Sequence, residues 1–236
     1  MRYLIVNGDD FGASGGVNRG ILEAHRRGIL TSASLMVDMP GSREAARLAR
    51  EAPELSVGLH ATLAVPDPGR APEADDAEAC GAELECQLAC FHELLGRPPT
   101  HLDSHHNVHR RPALRPLFLA LARRHGLPLR EHSAARYFSS FYGRWGGESH
   151  PEQVSAEALS RMLRDEIGHG VTELGCHPGY ADPALASDYS AEREAELRTL
   201  CHPAVRATVA TLGFRLIGFR ELGAPGREGS RPRPPA

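Results

Sequence analysis

Short apolar runs alternate with amphipathic stretches along most of the chain, and polar residues gather where the apolar runs stop. Tyr3-Leu4-Ile5-Val6 is short and uninterrupted, the pattern of a strand covered on both faces. Asn7 to Gly12, polar and glycine-rich, reads as the loop that follows. Val17 to Arg27 then carries Val17, Ile21 and Leu22 at helical spacing, with Gly28 as its C-cap. Leu30–Val37 reads as a second strand, Ser42–Glu51 as a helix, and Leu55–Leu59 as a strand running directly into His60. The rhythm continues through a helix over Ala77–Leu95, a strand end at His101–Asp103, a helix over Pro112–His125 and a strand over Leu127–Arg130. It ends with a helix over Ser155–Ile167, a strand over Val171–Cys176 leading into His177, a helical stretch Glu192–Leu212 that Pro203 should kink or divide, and a closing strand over Phe214–Gly218.

About seven strands alternating with helices predict a single α/β domain of parallel strands, as a barrel or an open sheet. Two stretches break the pattern. Residues 64–76 are rich in Pro, Asp and Gly, and residues 132–152 read as a long loop carrying Tyr137, Phe138, Phe141, Tyr142 and Trp145. The expected domain covers residues 1–222, and the Gly-, Pro- and Arg-rich stretch 223–236 has the composition of a disordered tail.

With 236 residues, such a domain buries enough surface to fold without a disulfide or metal. A net charge of −3 with no basic block in its body points away from nucleic acid. No apolar run approaches the roughly 18 residues of a membrane-spanning helix. No signal peptide is read at the start, and the five irregularly spaced cysteines read as reduced thiols, so a cytoplasmic protein is expected. Of thirteen histidines, four crowd into residues 101–109, and that changes the picture.

Asp9-Asp10, His60, Asp103 with His105, and His177 all stand where an expected strand ends. Parallel α/β folds bring their strand C-termini to one face, so these residues should converge there. A carboxylate meeting several imidazoles is what a divalent metal requires. Singly, each has an ordinary reading: Asp9-Asp10 as a turn, His60 as a hydrogen-bonded core histidine. The run His101-Leu-Asp-Ser-His-His-Asn-Val-His109 is harder to set aside, because burying so many titratable side chains without a ligand is costly. Spacing leaves open which of His105, His106 and His109 faces a metal, and His101 reads as structural.

The blocks Tyr3-Leu-Ile-Val-Asn-Gly-Asp-Asp-Phe-Gly12, Gly58-Leu-His60, Pro99-Thr-His-Leu-Asp-Ser-His-His-Asn-Val-His109 and Cys176-His-Pro-Gly-Tyr180 resemble the YdjC-like carbohydrate deacetylases, which include chitooligosaccharide deacetylases. The closing Leu216-Ile-Gly-Phe-Arg-Glu-Leu222 resembles that family's last strand. The resemblance implies a distorted TIM-like (β/α) barrel related to the polysaccharide deacetylases. It implies that Asp10, His60 and His105 bind one divalent metal, that Asp9 is the catalytic base and that His177 is the general acid. Asn107 stands where family members often carry His, and the loop after His60 is short for the family. Relatives commonly dimerise, so a homodimer is compatible with the reading.

The chemistry agrees with these roles. A metal held by three protein groups keeps positions open for water and an acetyl oxygen. One of two adjacent Asp residues can ligate while its neighbour accepts water's proton. Asp103 would orient a ligand histidine, while His106, His109, Tyr142 and Trp145 would support the ligands or touch substrate. Mg or Zn leads the metal choice, with Mn, Co, Ni or Fe also suiting the donors. The expected substrate is a small acetamido sugar or oligosaccharide. Rival classes are a metal-dependent sugar isomerase, which wants more carboxylates, a phosphoesterase, which often wants two metals, and a non-catalytic sugar-binding relative, which needs no base.

Overall fold

The computed structural model describes residues 1–63, 74–185 and 187–222, with the backbone alone for 74–76. Residues 64–73 and the tail from 223, both singled out above, lie outside the described residues. In chain order the elements are β1 (Arg2–Phe11), α1 (Gly15–Arg27), β2 (Ser32–Leu35), α2 (Ser42–Glu51), β3 (Ser56–Ala61), α3 (Ala74–Leu95), β4 (Leu102–Ser104), α4 (Arg115–His125), β5 (Ala135–Phe138), the two short strands β6 (Arg144–Trp145) and β7 (Glu148–Ser149), α5 (Ala156–Asp165), β8 (Gly170–Cys176), α6 (Ser190–Leu200), α7 (Pro203–Thr211), β9 (Phe214–Leu216) and α8 (Phe219–Leu222). Seven strands form one parallel sheet in the order β4-β3-β2-β1-β8-β5, with β9 pairing beside β1 as well.

The sheet curls into a half-barrel. Although β2 and β3 lie between β1 and β4, the Asn7 amide nitrogen on β1 stands 3.4 Å from Asp103 Oδ2 on β4. Strand alternation sorts the side chains accordingly. Leu4 and Val6 join the large core between sheet and helices, whereas Ile5 packs with Ala135, Ile217 and Phe219 in a small separate cluster on the inner face. Asn7 and Asp9 follow Ile5 on that face, as Glu173 and Gly175 follow Val171 on β8. The half-barrel is therefore apolar at its base and charged above.

Most expected elements form, and the differences have physical reasons. Of the loop expected at 7–12, residues 7–11 are instead the second half of β1. Its polar residues are buried and find partners inside the curl, so they can continue the strand. Leu127–Arg130 is no full strand, since only Leu129 makes a parallel bridge, to Leu102. The expected loop 132–152 contains β5, the edge strand that pairs with β8, and the small antiparallel pair β6–β7. Pro203 does divide the last long helical stretch, starting α7 where its missing N–H costs nothing. Helix α1 packs tightly on the segment after β8: a Cβ on Gly20 would stand 2.5 Å from Gly179 Cα, so only glycine allows the loop bearing His177 to sit there.

Candidate active site

A cavity of about 540 Å³ opens at the carboxyl ends of the strands. Asp9, Asp10, His60, His105, His106, Tyr142 and His177 all line it, so the structure brings these seven expected residues together. Alternation should send neighbours Asp9 and Asp10 to opposite faces. It does not, because β1 carries an irregularity between Gly8 and Phe11, and Asp10 adopts a left-handed φ of 66°. Both carboxylates thereby reach the same cavity.

Asp10 Oδ1 lies 3.3 Å from His60 Nε2 and 3.0 Å from His105 Nδ1. One donor atom from each of these three residues lies within 4.8 Å of the other two. His60 is fixed by Asp103, whose Oδ1 engages its Nδ1 at 2.8 Å and so turns Nε2 towards Asp10. The set fits a divalent cation: one carboxylate and two imidazoles, with the first imidazole pre-oriented. Burial opposes protonation of His60, yet Asp103, Asp10 and Asp9 push it up to about 10. A pocket that binds a proton so firmly presents the same negative field to a metal ion.

Asp9, Asp103 and His60 form a second such group. It already holds a cation, since the fully buried Arg130 guanidinium reaches both Asp9 oxygens at 2.8 Å and Asp103 Oδ2 at 2.9 Å. Its Nε donates to Glu173 Oε1 at 2.8 Å, and the Tyr137 ring covers it at 4.5 Å. Burial alone would raise the Asp9 carboxyl, but Arg130 outweighs it and holds that carboxyl below its ordinary value. Glu173, with only a share of the guanidinium, is pushed by burial up to about 7.

His177 stands across from Asp9, with Nε2 4.0 Å from Asp9 Oδ2. Burial, partly offset by Asp9 and Asp10, pushes it down to about 4, so it is a neutral imidazole at neutral pH. Glu196 on α6 accepts the His177 backbone N–H at 2.5 Å and the Tyr189 hydroxyl at 2.6 Å. Burial pushes Glu196 up to about 8, against 4.5 for an ordinary Glu. A carboxyl raised on folding stabilises the protein below its unfolded value and loses that contribution as pH climbs through its folded one. Thermal stability should therefore fall between pH 4.5 and 8, and Glu196→Gln should flatten that fall. Melting curves for both proteins across this range test it; parallel curves would remove Glu196 as the cause.

Of the other expected residues, His109 and Trp145 sit apart. His109 is buried with Nδ1 on Ser104 Oγ at 2.7 Å and Nε2 3.4 Å from Glu131, away from the cavity lining. Trp145 is half exposed and stacks on His150 at 3.6 Å, also outside the lining. Tyr142 stacks on Tyr189 at 4.7 Å and presents its edge to His177. His106 and Asn107 occupy left-handed turns at φ 53° and 51°, with the His106 ring against His105. His101 is buried between Ser34 and Phe219. Sequence reasoning missed Arg130, Glu173, Arg193 and Glu196. Glu173 did leave a signal, as a charge amid the apolar strand Val171–Cys176.

A parallel half-barrel with its polar centre at the strand carboxyl ends is the fold of the TIM-like polysaccharide deacetylases. The family 4 carbohydrate esterase from Streptomyces lividans superposes with a TM-score of 0.56 at 16% identity, covering 90% of each chain, a likeness of fold alone. The chain belongs to the YdjC-like protein family, whose model matches residues 3–211. It is 41% identical to a carbohydrate deacetylase of Geobacillus stearothermophilus, covering 94% of this chain and 98% of that one. It is 36% identical to a chitooligosaccharide deacetylase of Serratia marcescens over 94% and 99% of the two chains. The crystal structure of a putative cellobiose-phosphate cleavage protein from Enterococcus faecalis superposes with a TM-score of 0.79 at 30% identity, over 94% and 98% of the chains. Among the described residues, no helix is long and apolar enough to cross a membrane.

Proposed function

We propose that the protein is a metal-dependent hydrolase that removes the N-acetyl group of an acetylated amino sugar or short oligosaccharide. The observation that carries this reading is the pairing of Asp9 and Asp10 in one cavity, one inside the open ligand group and the other outside it and opposite His177. The names of the Geobacillus and Serratia relatives support the substrate class. Asp10, His60 and His105 would hold the ion, which when bound supplies Lewis acidity to water and the acetyl oxygen.

Asp9 takes the proton of the attacking water, and Arg130 and Asn7 hold its carboxylate in place for that transfer. The proton that Asp9 takes from water passes by way of His177, a neutral imidazole beforehand, to the departing sugar nitrogen. Tyr142 and Tyr189 form the stacked aromatic wall beside it, a surface suited to a pyranose face. A two-metal phosphoesterase is disfavoured, because Arg130 fills the second carboxylate–imidazole group.

The decisive assay is acetate release from N-acetylglucosamine, diacetylchitobiose and longer chitooligosaccharides, after chelation and with Zn, Mg, Mn, Co or Ni restored. Release that vanishes on chelation and returns with one metal is expected. Release unaffected by chelation would sink the metal role, and one equivalent of metal bound with every sugar inert would sink the substrate.

A further inference from the structure

The second oxygen of Asp10 is taken by a neighbour that a cation site would not be expected to welcome. Arg193 on α6 donates from Nη2 to Asp10 Oδ2 at 2.5 Å. The side chain is nearly buried, at 7% exposure, and its Nε finds no hydrogen-bond partner. A buried guanidinium so close to a cation site repels the ion and lowers its affinity. It also engages the oxygen that would let Asp10 grip a metal with both arms. Oδ1, the oxygen left over, is the one facing His60 and His105.

We propose that Arg193 is a positioning residue that restricts Asp10 to one-oxygen ligation, trading metal affinity for an open coordination position. This rests on the metal reading above and goes beyond it. In a tetrahedral three-group site, a carboxylate gripping through both oxygens would take the position that water needs. Arg193 also reaches the His177 carbonyl at 3.4 Å, so one side chain registers the ligand carboxylate against the strand end bearing His177.

The test is titration of the chelated protein with Co(II), read by its visible ligand-field bands and by competition with a chromophoric chelator. Arg193→Met removes both charge and hydrogen bonds. It should bind Co(II) on the order of tenfold more tightly, as loss of a nearby positive charge requires. It should also show weaker bands, because absorption falls as coordination number rises. Arg193→Lys keeps the charge and should stay within about threefold of wild type in affinity. A side chain with only a structural role would loosen the site instead. Equal or weaker Co(II) binding by Arg193→Met, with unchanged bands, overturns the proposal. If that variant does not fold, Arg193→Gln gives the same comparison, since it too removes the charge. Acetate release is not needed for the readout. An inert wild type would thus count against the deacetylase reading, and an unchanged Co(II) titration against Arg193.

Discussion

Asp9→Asn is expected to cut acetate release by about 10²–10⁴-fold, the usual contribution of a positioned base, while one equivalent of metal still binds. The substitution keeps the size and one accepting oxygen of the side chain but removes its ability to take a proton. Asp9 lies outside the Asp10–His60–His105 group, so metal stoichiometry should not change. The measurement pairs an acetate assay with metal analysis of the purified variant. Activity within tenfold of wild type would mean that another group accepts water's proton. Loss of metal along with activity would move Asp9 into the ligand set.

The second large effect is on stability. Arg130→Met should cost about 3–5 kcal/mol, the loss typical when one partner of a buried ion pair is removed. Arg130 is fully buried and answers Asp9, Asp103 and Glu173 together, so an apolar replacement leaves three carboxyl groups in the half-barrel interior without the guanidinium they share. The loss should shrink at acid pH, where those groups can take up protons. Arg130→Lys should recover only part of it, because a single ammonium cannot span both Asp9 oxygens and Glu173. Urea unfolding at pH 5 and pH 8 measures both. A loss under about 1 kcal/mol, the scale of exposed pairs, would mean that water reaches the cluster.

What the chain disclosed in advance was its local periodicity. The helices from Val17, Ser42 and Ser155 and the apolar cores of β1, β3 and β8 follow from spacing and caps that act within one turn or one pleat. Convergence of Asp9, Asp10, His60, His105 and His177 followed from one topological rule about strand ends. What stayed hidden depends on contacts distant in sequence. That β1 continues through Asn7, Asp9 and Asp10 becomes intelligible only once Ser34, Asp103 and Arg130 are seen to answer those polar groups. Likewise β5, whose Arg136 and Tyr137 suggest a surface loop, is a strand because β8 lies beside it. His105, rather than His106 or His109, stands beside Asp10 and His60, and the turn that follows it holds two left-handed residues that no spacing rule anticipates. Arg193 and Glu196 fall in a stretch that the sequence marks only as helical, and the packing of α6 over the strand ends makes them interior.

The irregularity in β1 also sets a tolerance on length. Between Gly8 and Phe11 the strand has one residue more than its neighbour β2, and that extra residue lets two adjacent carboxylates look the same way. Remove it and regular pleating would return one of them to the helix side, leaving a hollow able to hold a sugar but lacking either its metal grip or its proton acceptor. A relative with the same fold, shortened by a single codon at this spot, would keep the hollow and lose the pairing of two carboxylates within it.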